Sequence, residues 1–270
     1  MSVAGRVAIV TGAGRGLGRL YALVLAERGA KVLVNDYGGD LEDRPGTIAV
    51  AQAVVDEIVA KGGIAVAHSG DVSKDYKDVV DTAVREFGTV HILINNAGIT
   101  GKISPHDNVD PSAFMRDLET SVLGTAMLTS AVYSIMAEQK YGRIVNTSSN
   151  AMYGLGSAGD CAYGAAKAAA FAMTRQLGRW SERDGIKINC TMPSAASRMG
   201  DISEGTKLSV LWRSFSTGAD RAAREAMATF PGLKAKTPEQ FLQNWDKVMG
   251  KGDQPFLAAS TLEQVQYVIR

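Results

Sequence analysis

Tyr163 and Lys167 are the side chains of this sequence whose types and spacing best suit proton transfer. They stand at positions i and i+4, so a helix places both on one face. A phenol ionises near pH 10 in water, and a neighbouring ammonium group lowers that value toward the neutral range. Such a pair is, taken alone, more often a solvated helix edge. In an alanine-rich helix near a strand end, we expect Tyr163 to exchange a proton and Lys167 to supply the charge.

Ser149 ends a predicted strand shortly before this helix. Its hydroxyl can donate a hydrogen bond to a substrate oxygen whose charge changes during hydride transfer. We therefore predict Ser149, Tyr163 and Lys167 as the catalytic residues.

The run from Val7 to Gly18 predicts a binding site for a diphosphate group. An apolar strand breaks into glycines and then into a helix whose free N–H groups face the turn. Gly12, Gly16 and Gly18 follow the pattern G-x-x-x-G-x-G, and Gly14 adds a further glycine inside the turn. An ordinary tight turn is the alternative interpretation.

Asp36 follows the second predicted strand. A carboxylate there can accept hydrogen bonds from both hydroxyls of an adenosine ribose and would repel a 2′-phosphate, which favours NAD over NADP. Arg15, in the glycine turn, could still bind a 2′-phosphate, and Asp36 could be no more than a surface turn residue.

Polar or small residues also follow the third and fourth predicted strands. The Asp71 carboxylate can meet an adenine amino group while the Val72 N–H meets a ring nitrogen, although Asp71 could equally cap a helix that begins near Ser73. Asn95-Asn96-Ala97-Gly98 is more specific, because small residues let the backbone approach a ribose and an Asn side chain can bridge neighbouring strands.

Strands and helices alternate to about residue 191, which predicts an α/β fold with a doubly wound, Rossmann-type parallel sheet in a single domain. The predicted strands cover 7–11, 31–35, 64–69, 90–95, 142–148 and 186–191. The predicted helices cover 17–28, 47–61, 75–87, 111–138 and 161–182. Residues 1–199 form the dinucleotide-binding and catalytic core, and residues 200–270 form a helical extension of the same domain around the substrate.

Composition excludes several classes of function. The chain has 270 residues, 46% of them apolar, and a net charge of +1, which gives no hint of a nucleic-acid or membrane surface. We find no signal-peptide pattern, no apolar run of membrane-spanning length and no peroxisomal address at Val268-Ile269-Arg270, so we expect a cytoplasmic enzyme.

The three histidines have no partners at ligand spacing, and no metal is predicted. Cys161 and Cys190 are expected to be reduced core residues.

These motifs, in this order and spacing, resemble the short-chain dehydrogenase/reductase family over roughly residues 3–200. Within it, the stretches beginning at Val34, Lys140 and Pro193 look like the (3R)-hydroxyacyl-CoA dehydrogenase unit of peroxisomal multifunctional enzyme type 2.

The resemblance implies a role for each matching residue. Tyr163 would be the general acid/base, Lys167 its electrostatic partner and a ribose ligand, and Ser149 the hydroxyl that polarises the substrate oxygen. Helix residues 164–170 would help to form a homodimer or homotetramer. The residues expected to contact the cofactor are Gly12, Arg15, Gly16, Leu17, Gly18, Asp36, Asp71, Val72, Asn95, Ala97, Gly98, Tyr163, Lys167, Pro193, Ala195 and Ser197.

The sequence departs from the family pattern in three places. Ser149 precedes Tyr163 by one residue more than is usual, so strict counting would select Asn150. Ser121 stands where the family often has an Asn that holds a water. A clear seventh strand near the C-terminus is missing.

The expected function is that of an NAD-dependent oxidoreductase that interconverts a small-molecule secondary alcohol and its ketone. The substrate could be a 3-hydroxyacyl thioester or an intermediate of secondary metabolism. The alternative is a cofactor-binding member of the fold without redox chemistry, such as a cyclase, an isomerase or a binding partner.

Overall fold

The computed structural model describes residues 3–39, 46–100, 104–105, 107–153 and 161–193. Four predictions fall outside these residues: the cofactor contacts of Ala195 and Ser197, the helical extension over 200–270, and the lack of a seventh strand near the C-terminus.

One parallel sheet of six strands organises the described part of the chain. The strands are β1 (Val7–Thr11), β2 (Lys31–Asn35), β3 (Ile64–His68), β4 (Ile92–Asn95), β5 (Gly142–Thr147) and β6 (Ile186–Thr191). Their spatial order is β3-β2-β1-β4-β5-β6. The order reverses between β1 and β4, so a ligand crevice opens there at the carboxyl ends of the strands. The predicted fold is confirmed, with β3, β4 and β5 one or two residues shorter than predicted.

Helices cover both faces of this sheet. They are α1 (Gly16–Glu27), α2 (Ala49–Ala60), α3 (Tyr76–Phe87), α4 (Pro111–Leu118), α5 (Gly124–Glu138) and α6 (Cys161–Ser181). Apolar residues of α1 and α2 form one core cluster with the sheet, and those of α3, α5 and α6 form a second. This two-sided cover is what a βαβ sequence with right-handed crossovers produces.

Alternate residues of β1 and of β4 pack into the two core clusters on opposite faces of the sheet. In β1, Val10 faces the cluster of α1 and α2, whereas Ile9 faces the cluster of α3 and α5. In β4, Ile94 and Leu93 divide in the same way. Because both sides are buried, these strands are apolar throughout instead of alternating with polar residues.

The long helix predicted over 111–138 is interrupted. A π-helical turn, Glu119–Leu123, lies between α4 and α5, and the Gly124 N–H donates to the Glu119 carbonyl across it. The whole span of 28 residues is long and apolar enough to cross a membrane by length and composition, so the expectation that no run reaches this length is wrong. Part of its apolar surface, including Leu128 and Met136, packs in the core with residues of β4 and β5.

The prediction for the cysteines is wrong for one of them. Cys161 is exposed at the first position of α6, whereas Cys190 is largely buried in β6, and both are free thiols. The alanine-rich stretch that follows Cys161 is buried on one side only, so its composition did not indicate which way the first residue would face.

Candidate active site

The glycine turn between β1 and α1 is folded tightly against the end of β4. Gly12 has a φ of +59°, and a Cβ there would lie 2.9 Å from the Ala97 Cα. A Cβ on Gly18 would overlap the Gly12 carbonyl oxygen. The Asn96 side chain donates to the carbonyls of Thr11 and Gly12 over 2.9 and 3.1 Å. These contacts require glycine at both positions.

Asp36 lies beside this turn and is tied to it. One carboxylate oxygen accepts the Gly14 N–H and the other accepts the Gly38 N–H, each over 2.8 Å. Each oxygen has a second acceptor site, so the carboxylate can still take hydrogen bonds from two hydroxyl groups. The Arg15 guanidinium donates to the Gly39 carbonyl over 3.1 Å, which places its positive charge beside the same loop.

These residues fit a dinucleotide. Helix α1 begins at Gly16 without a side-chain cap from the described residues, so its first N–H groups face the turn and suit a diphosphate. Asp36 stands to one side of that position, where a ribose would follow. Leu17 lies on the first turn of the helix and packs against the core below it.

Asp71 and Val72 lie beyond β3, in the turn that precedes α3. One Asp71 oxygen accepts both the N–H and the hydroxyl of Ser73, over 2.9 and 2.7 Å. Burial raises the pKa of this carboxyl, but the bonds from Ser73 and the charge of Lys74 outweigh it and the pKa is lowered. Asp71 therefore caps a turn, while α3 itself begins later, at Tyr76. Val72 is buried against Gly124, and a contact of either residue with adenine stays a prediction.

The end of β4 is joined to β5 and α6 by buried amides. The Asn95 side chain donates to Asn146 over 2.9 Å, and Asn146 donates to the Thr174 hydroxyl over 2.9 Å. The expectation that an Asn of this tetrad bridges neighbouring strands is confirmed. This chain fixes the position of α6, the helix that carries Tyr163 and Lys167.

Ser149 lies just after β5 and orders the turn that follows. Its hydroxyl accepts the Ala151 N–H over 3.2 Å and donates to Asn150 Oδ1 over 3.3 Å. A Cβ on Gly164 would lie 3.1 Å from the Ala151 carbonyl oxygen, so this turn packs against the first turn of α6 beside Tyr163. The neighbouring Ser148 instead points inward and donates to the Lys167 carbonyl over 2.7 Å. Which of Ser149 and Asn150 fills the family's serine position stays a prediction.

Tyr163 and Lys167 lie together on α6, as their spacing predicts. The Lys167 Nζ is 5.4 Å from the centre of the Tyr163 ring. It donates to the Thr147 carbonyl at the end of β5 over 3.0 Å. The ammonium group is thus held at the carboxyl edge of the sheet and faces the phenol.

Lys167 is buried, with 3% of its surface exposed. Burial lowers its pKa to about 8, and the opposing influence of Cys190 and Asp117 keeps the pKa from falling further. Burial also raises the pKa of the Cys190 thiol to about 11, so this neighbour is neutral at pH 7. At that pH Lys167 remains mostly an ammonium ion.

Ser121 and Gly98 complete the surroundings of Lys167. An added Cβ on Gly98 would lie 3.0 Å from the Lys167 Nζ and 3.3 Å from the Ser121 Oγ, so these two atoms flank one point. The Ser121 Oγ is buried and has no hydrogen-bond partner among the described residues. It belongs to the π-helical turn, and the Thr125 hydroxyl donates to its carbonyl over 2.8 Å. Pro193 follows β6 at the same edge and is partly buried.

Two residues near Lys167 were not among the predicted site residues. Asp117 is 1% exposed, and Ser148 supports α6 from the end of β5. Asp117 is a carboxylate four residues before Ser121, on the side of a predicted amphipathic helix that must face the protein. That pattern could have singled it out. Within the described ranges, no three His, Cys, Asp or Glu side chains lie close enough together to hold a metal ion.

Comparison with known proteins identifies the family. The family model described as short chain dehydrogenase matches residues 6–201. This chain belongs to the short-chain dehydrogenase family. The predicted family is confirmed.

Three relatives of this short-chain dehydrogenase are informative. It is 43% identical over 198 residues to the peroxisomal multifunctional enzyme type 2 of Drosophila melanogaster, an alignment that covers 72% of this chain and 32% of that protein. It is 36% identical over 199 residues to the (2S)-[(R)-hydroxy(phenyl)methyl]succinyl-CoA dehydrogenase subunit BbsD of Thauera aromatica, covering 72% and 74%. The solved NAD+-bound xylitol dehydrogenase superposes with a TM-score of 0.65 at 32% identity, covering 72% and 71%.

The chain spans about a third of the length of the multifunctional relatives from yeast and Drosophila. The resemblance to these enzymes is confirmed. Their names place them in the peroxisome, and the cytoplasmic location expected for this chain stays a prediction.

Proposed function

We propose that this short-chain dehydrogenase uses NAD to interconvert a secondary alcohol and its ketone, with Tyr163 as the general acid/base. The observation that carries the proposal is the buried Lys167 ammonium group 5.4 Å from the centre of the Tyr163 ring, at the carboxyl edge of the sheet. A buried cation stabilises the phenolate form far more than an exposed one, because water does not screen it.

In the direction of oxidation, the Tyr163 phenolate accepts the proton of the substrate hydroxyl. The Ser149 hydroxyl donates a hydrogen bond to the same oxygen and fixes the carbon that bears the hydride. Bound NAD supplies the hydride acceptor. Lys167 keeps the phenol acidic, and reduction runs through the same groups in reverse. The Ser121 hydroxyl, which has no hydrogen-bond partner among the described residues, would hold a water that returns the proton to solvent.

The preference for NAD rests on Asp36. Its carboxylate stays at the ribose end of the turn through two backbone hydrogen bonds and would repel a 2′-phosphate. The xylitol dehydrogenase structure carries NAD+, which supports the same choice by similarity. Arg15 is the group that would favour NADP instead, so the affinities for NADH and NADPH must be measured side by side.

The substrate class we propose is a 3-hydroxyacyl thioester. Support comes from two relatives: the type 2 multifunctional enzyme and a dehydrogenase whose named substrate is a hydroxylated succinyl-CoA. The substrate class is thus supported by similarity alone, since residues 194–270 lie outside the described structure.

The direct test is NADH formation from NAD with purified protein and a panel of (R)- and (S)-3-hydroxyacyl-CoA substrates, with simple secondary alcohols as comparison. We expect turnover of one thioester enantiomer. Turnover of simple alcohols alone would overturn the thioester assignment but keep the dehydrogenase. Tight NADH binding without turnover of any substrate would favour the non-redox alternative.

A further inference from the structure

His68, the last residue of β3, is a buried histidine to which the proposed reaction gives no role. Its exposed fraction is 9%. In the sheet it stands opposite Asn35, the last residue of β2, so it lies at the carboxyl edge, where the cofactor is proposed to bind. A buried imidazole needs hydrogen-bond partners for its ring nitrogens, so these partners show what the ring holds in place.

Two donors converge on one nitrogen of this ring. The Gly70 N–H donates to His68 Nδ1 over 2.9 Å, and the Asn35 Nδ2 lies 3.3 Å from the same atom. Because both neighbours are donors, Nδ1 accepts and the ring proton lies on Nε2. Nε2 donates over 3.0 Å to an oxygen of Asp78, which lies on α3. The imidazole is therefore fixed at both nitrogens in one tautomer.

Gly70 is held through both of its backbone polar groups. Besides the bond from its N–H to His68, its carbonyl accepts the Asn35 side-chain amide over 3.0 Å. A Cβ on Gly70 would lie 2.6 Å from the His68 Cε1, so this residue packs directly on the imidazole ring. The next N–H, that of Asp71, donates over 2.9 Å to Asp75, which precedes the first residue of α3. Side chains of three neighbouring elements thus fix the path of the chain through Gly70 and Asp71.

The backbone of His68 is tied to the strand end that carries Asp36. The His68 carbonyl accepts the Asp36 N–H over 3.0 Å, beside the carboxylate proposed to bind the adenosine ribose. His68 therefore joins Asp36, through its carbonyl, to the turn of Gly70, Asp71 and Val72, through its ring. Asp71 and Val72 are the residues predicted to meet adenine.

We propose that His68 is a positioning residue for the adenine half of the cofactor. Its ring holds Gly70, so the turn from Gly70 to Val72 is already ordered beside Asp36 before the cofactor binds. Binding to an ordered turn costs less free energy than binding that must first order it. This role rests on the proposed use of NAD, whereas the order of the turn itself does not.

The order of the turn is measured first, without any ligand. Hydrogen exchange of the Gly70 amide is followed on the full chain for wild type, His68→Gln and His68→Asn. An Asn side chain can place an acceptor oxygen near the position of Nδ1, whereas Gln places its polar group near that of Nε2. We expect the Gly70 amide to exchange about tenfold faster in His68→Gln and within about threefold of wild type in His68→Asn.

Binding then separates the two halves of the cofactor. The probes are ADP-ribose, which carries the adenine, and reduced nicotinamide mononucleotide, which lacks it. We expect His68→Gln to weaken ADP-ribose binding about tenfold, with little change for the mononucleotide, and His68→Asn to restore most of the loss. A general loss of packing would instead weaken the binding of both probes.

His91→Gln is the matched control. The His91 Nδ1 accepts the Val7 N–H over 3.0 Å, just before β4 and therefore at the amino edge of the sheet. The same kind of hydrogen bond is lost in this variant, but at the edge opposite the proposed cofactor site. The affinities for both probes should stay within about twofold of wild type.

An unchanged exchange rate of the Gly70 amide in His68→Gln would overturn the positioning role, and so would an unchanged affinity for ADP-ribose. If His68→Gln does not fold, Asp78→Ala replaces it, because the Asp78 side chain is 71% exposed and orients the ring through Nε2. Asp81→Ala then removes the same charge from an exposed position on α3. Faster Gly70 exchange in Asp78→Ala than in Asp81→Ala is expected, and equal rates would contradict the proposal.

The two hypotheses fail in different ways. Wild-type protein without affinity for ADP-ribose or NADH would contradict the proposed function, and exchange of the Gly70 amide would still report whether His68 orders the turn. Wild-type protein that binds both, with binding unchanged in His68→Gln, would contradict the role of His68 alone.

Discussion

The two halves of the sheet's carboxyl edge are built by different physical means. At β1 and β2, close backbone contacts and satisfied hydrogen bonds set the shape: the Thr11 hydroxyl accepts the N–H groups of Asn96 and Ala97, and Asp36 accepts two more. At β5 and β6, charge is buried instead, with Lys167 inside the protein. The first half should therefore respond to changes of shape, and the second to changes of charge and pH.

The largest effect is expected in the catalytic half from Tyr163→Phe. The ring and its packing remain, but the group that transfers the proton is lost, so kcat should fall by about 10² to 10⁴-fold. The affinity for NADH, measured by fluorescence titration, should change little because Phe keeps the shape of the site. Turnover within a few-fold of wild type would remove Tyr163 from the mechanism.

The next effect concerns the stability cost of burying Lys167. Its pKa is about 8 in the folded chain and about 10.4 when unfolded, so folding disfavours the ammonium form by about 3 kcal/mol. The unfolded state binds the proton more tightly. The penalty is therefore fully present below pH 8 and is relieved as the pH rises from about 8 to 10.4.

Lys167→Met isolates this penalty. The free energy of unfolding of wild type, relative to Lys167→Met at the same pH, should rise by up to about 3 kcal/mol across that window, measured by urea unfolding. Other titrating groups are common to both proteins and cancel. A constant difference between the two proteins from pH 7 to about pH 10.4 would show that Lys167 does not titrate there.

The nucleotide half is probed by Gly18→Ala. The added methyl group overlaps the Gly12 carbonyl oxygen, which is backbone and cannot turn aside, so we expect a loss of about 2 kcal/mol in stability and weaker NADH binding. Gly62→Ala is the control: its φ is +81°, but no atom lies within 4 Å of the new Cβ. That change should cost about 1 kcal/mol through backbone strain alone and leave NADH binding intact. Equal effects of both variants on NADH binding would contradict the steric account.

Local patterns in the sequence were sufficient for most of the fold. Apolar runs, or an apolar pattern with polar residues between as in β6, identified all six described strands, and the pair Tyr163 and Lys167 was placed on one helix face as observed. The spacing of glycines located the turn, because a residue that must lack a Cβ is visible in the sequence itself. These are features that depend on near neighbours in the chain.

What could not be predicted depends on contacts between distant segments. The π-helical turn at Glu119–Leu123 leaves no clear mark in the composition of the helix. Asp117 is buried in the assembled fold, in which α4 packs on α6, and Cys161 is exposed although its neighbours are apolar. The burial of Lys167, which sets its pKa, is likewise a property of the assembled fold.

The smallest effect we predict is on cofactor choice, through Asp36→Asn. The amide keeps the size of the side chain and can still accept one of the two N–H groups from Gly14 and Gly38, so the turn should survive. Removal of the negative charge should relax the repulsion of a 2′-phosphate and bring the ratio of NADPH to NADH dissociation constants down by about tenfold, near 1.4 kcal/mol. Arg15, close by on the Gly39 carbonyl, is then the charge that NADPH would meet. Arg15→Gln in the Asp36→Asn background should reverse part of the gain. If Asp36→Asn leaves the ratio unchanged, the carboxylate serves only to fix the glycine turn. The nucleotide half of the edge would then depend on shape alone, and charge would matter only in the catalytic half.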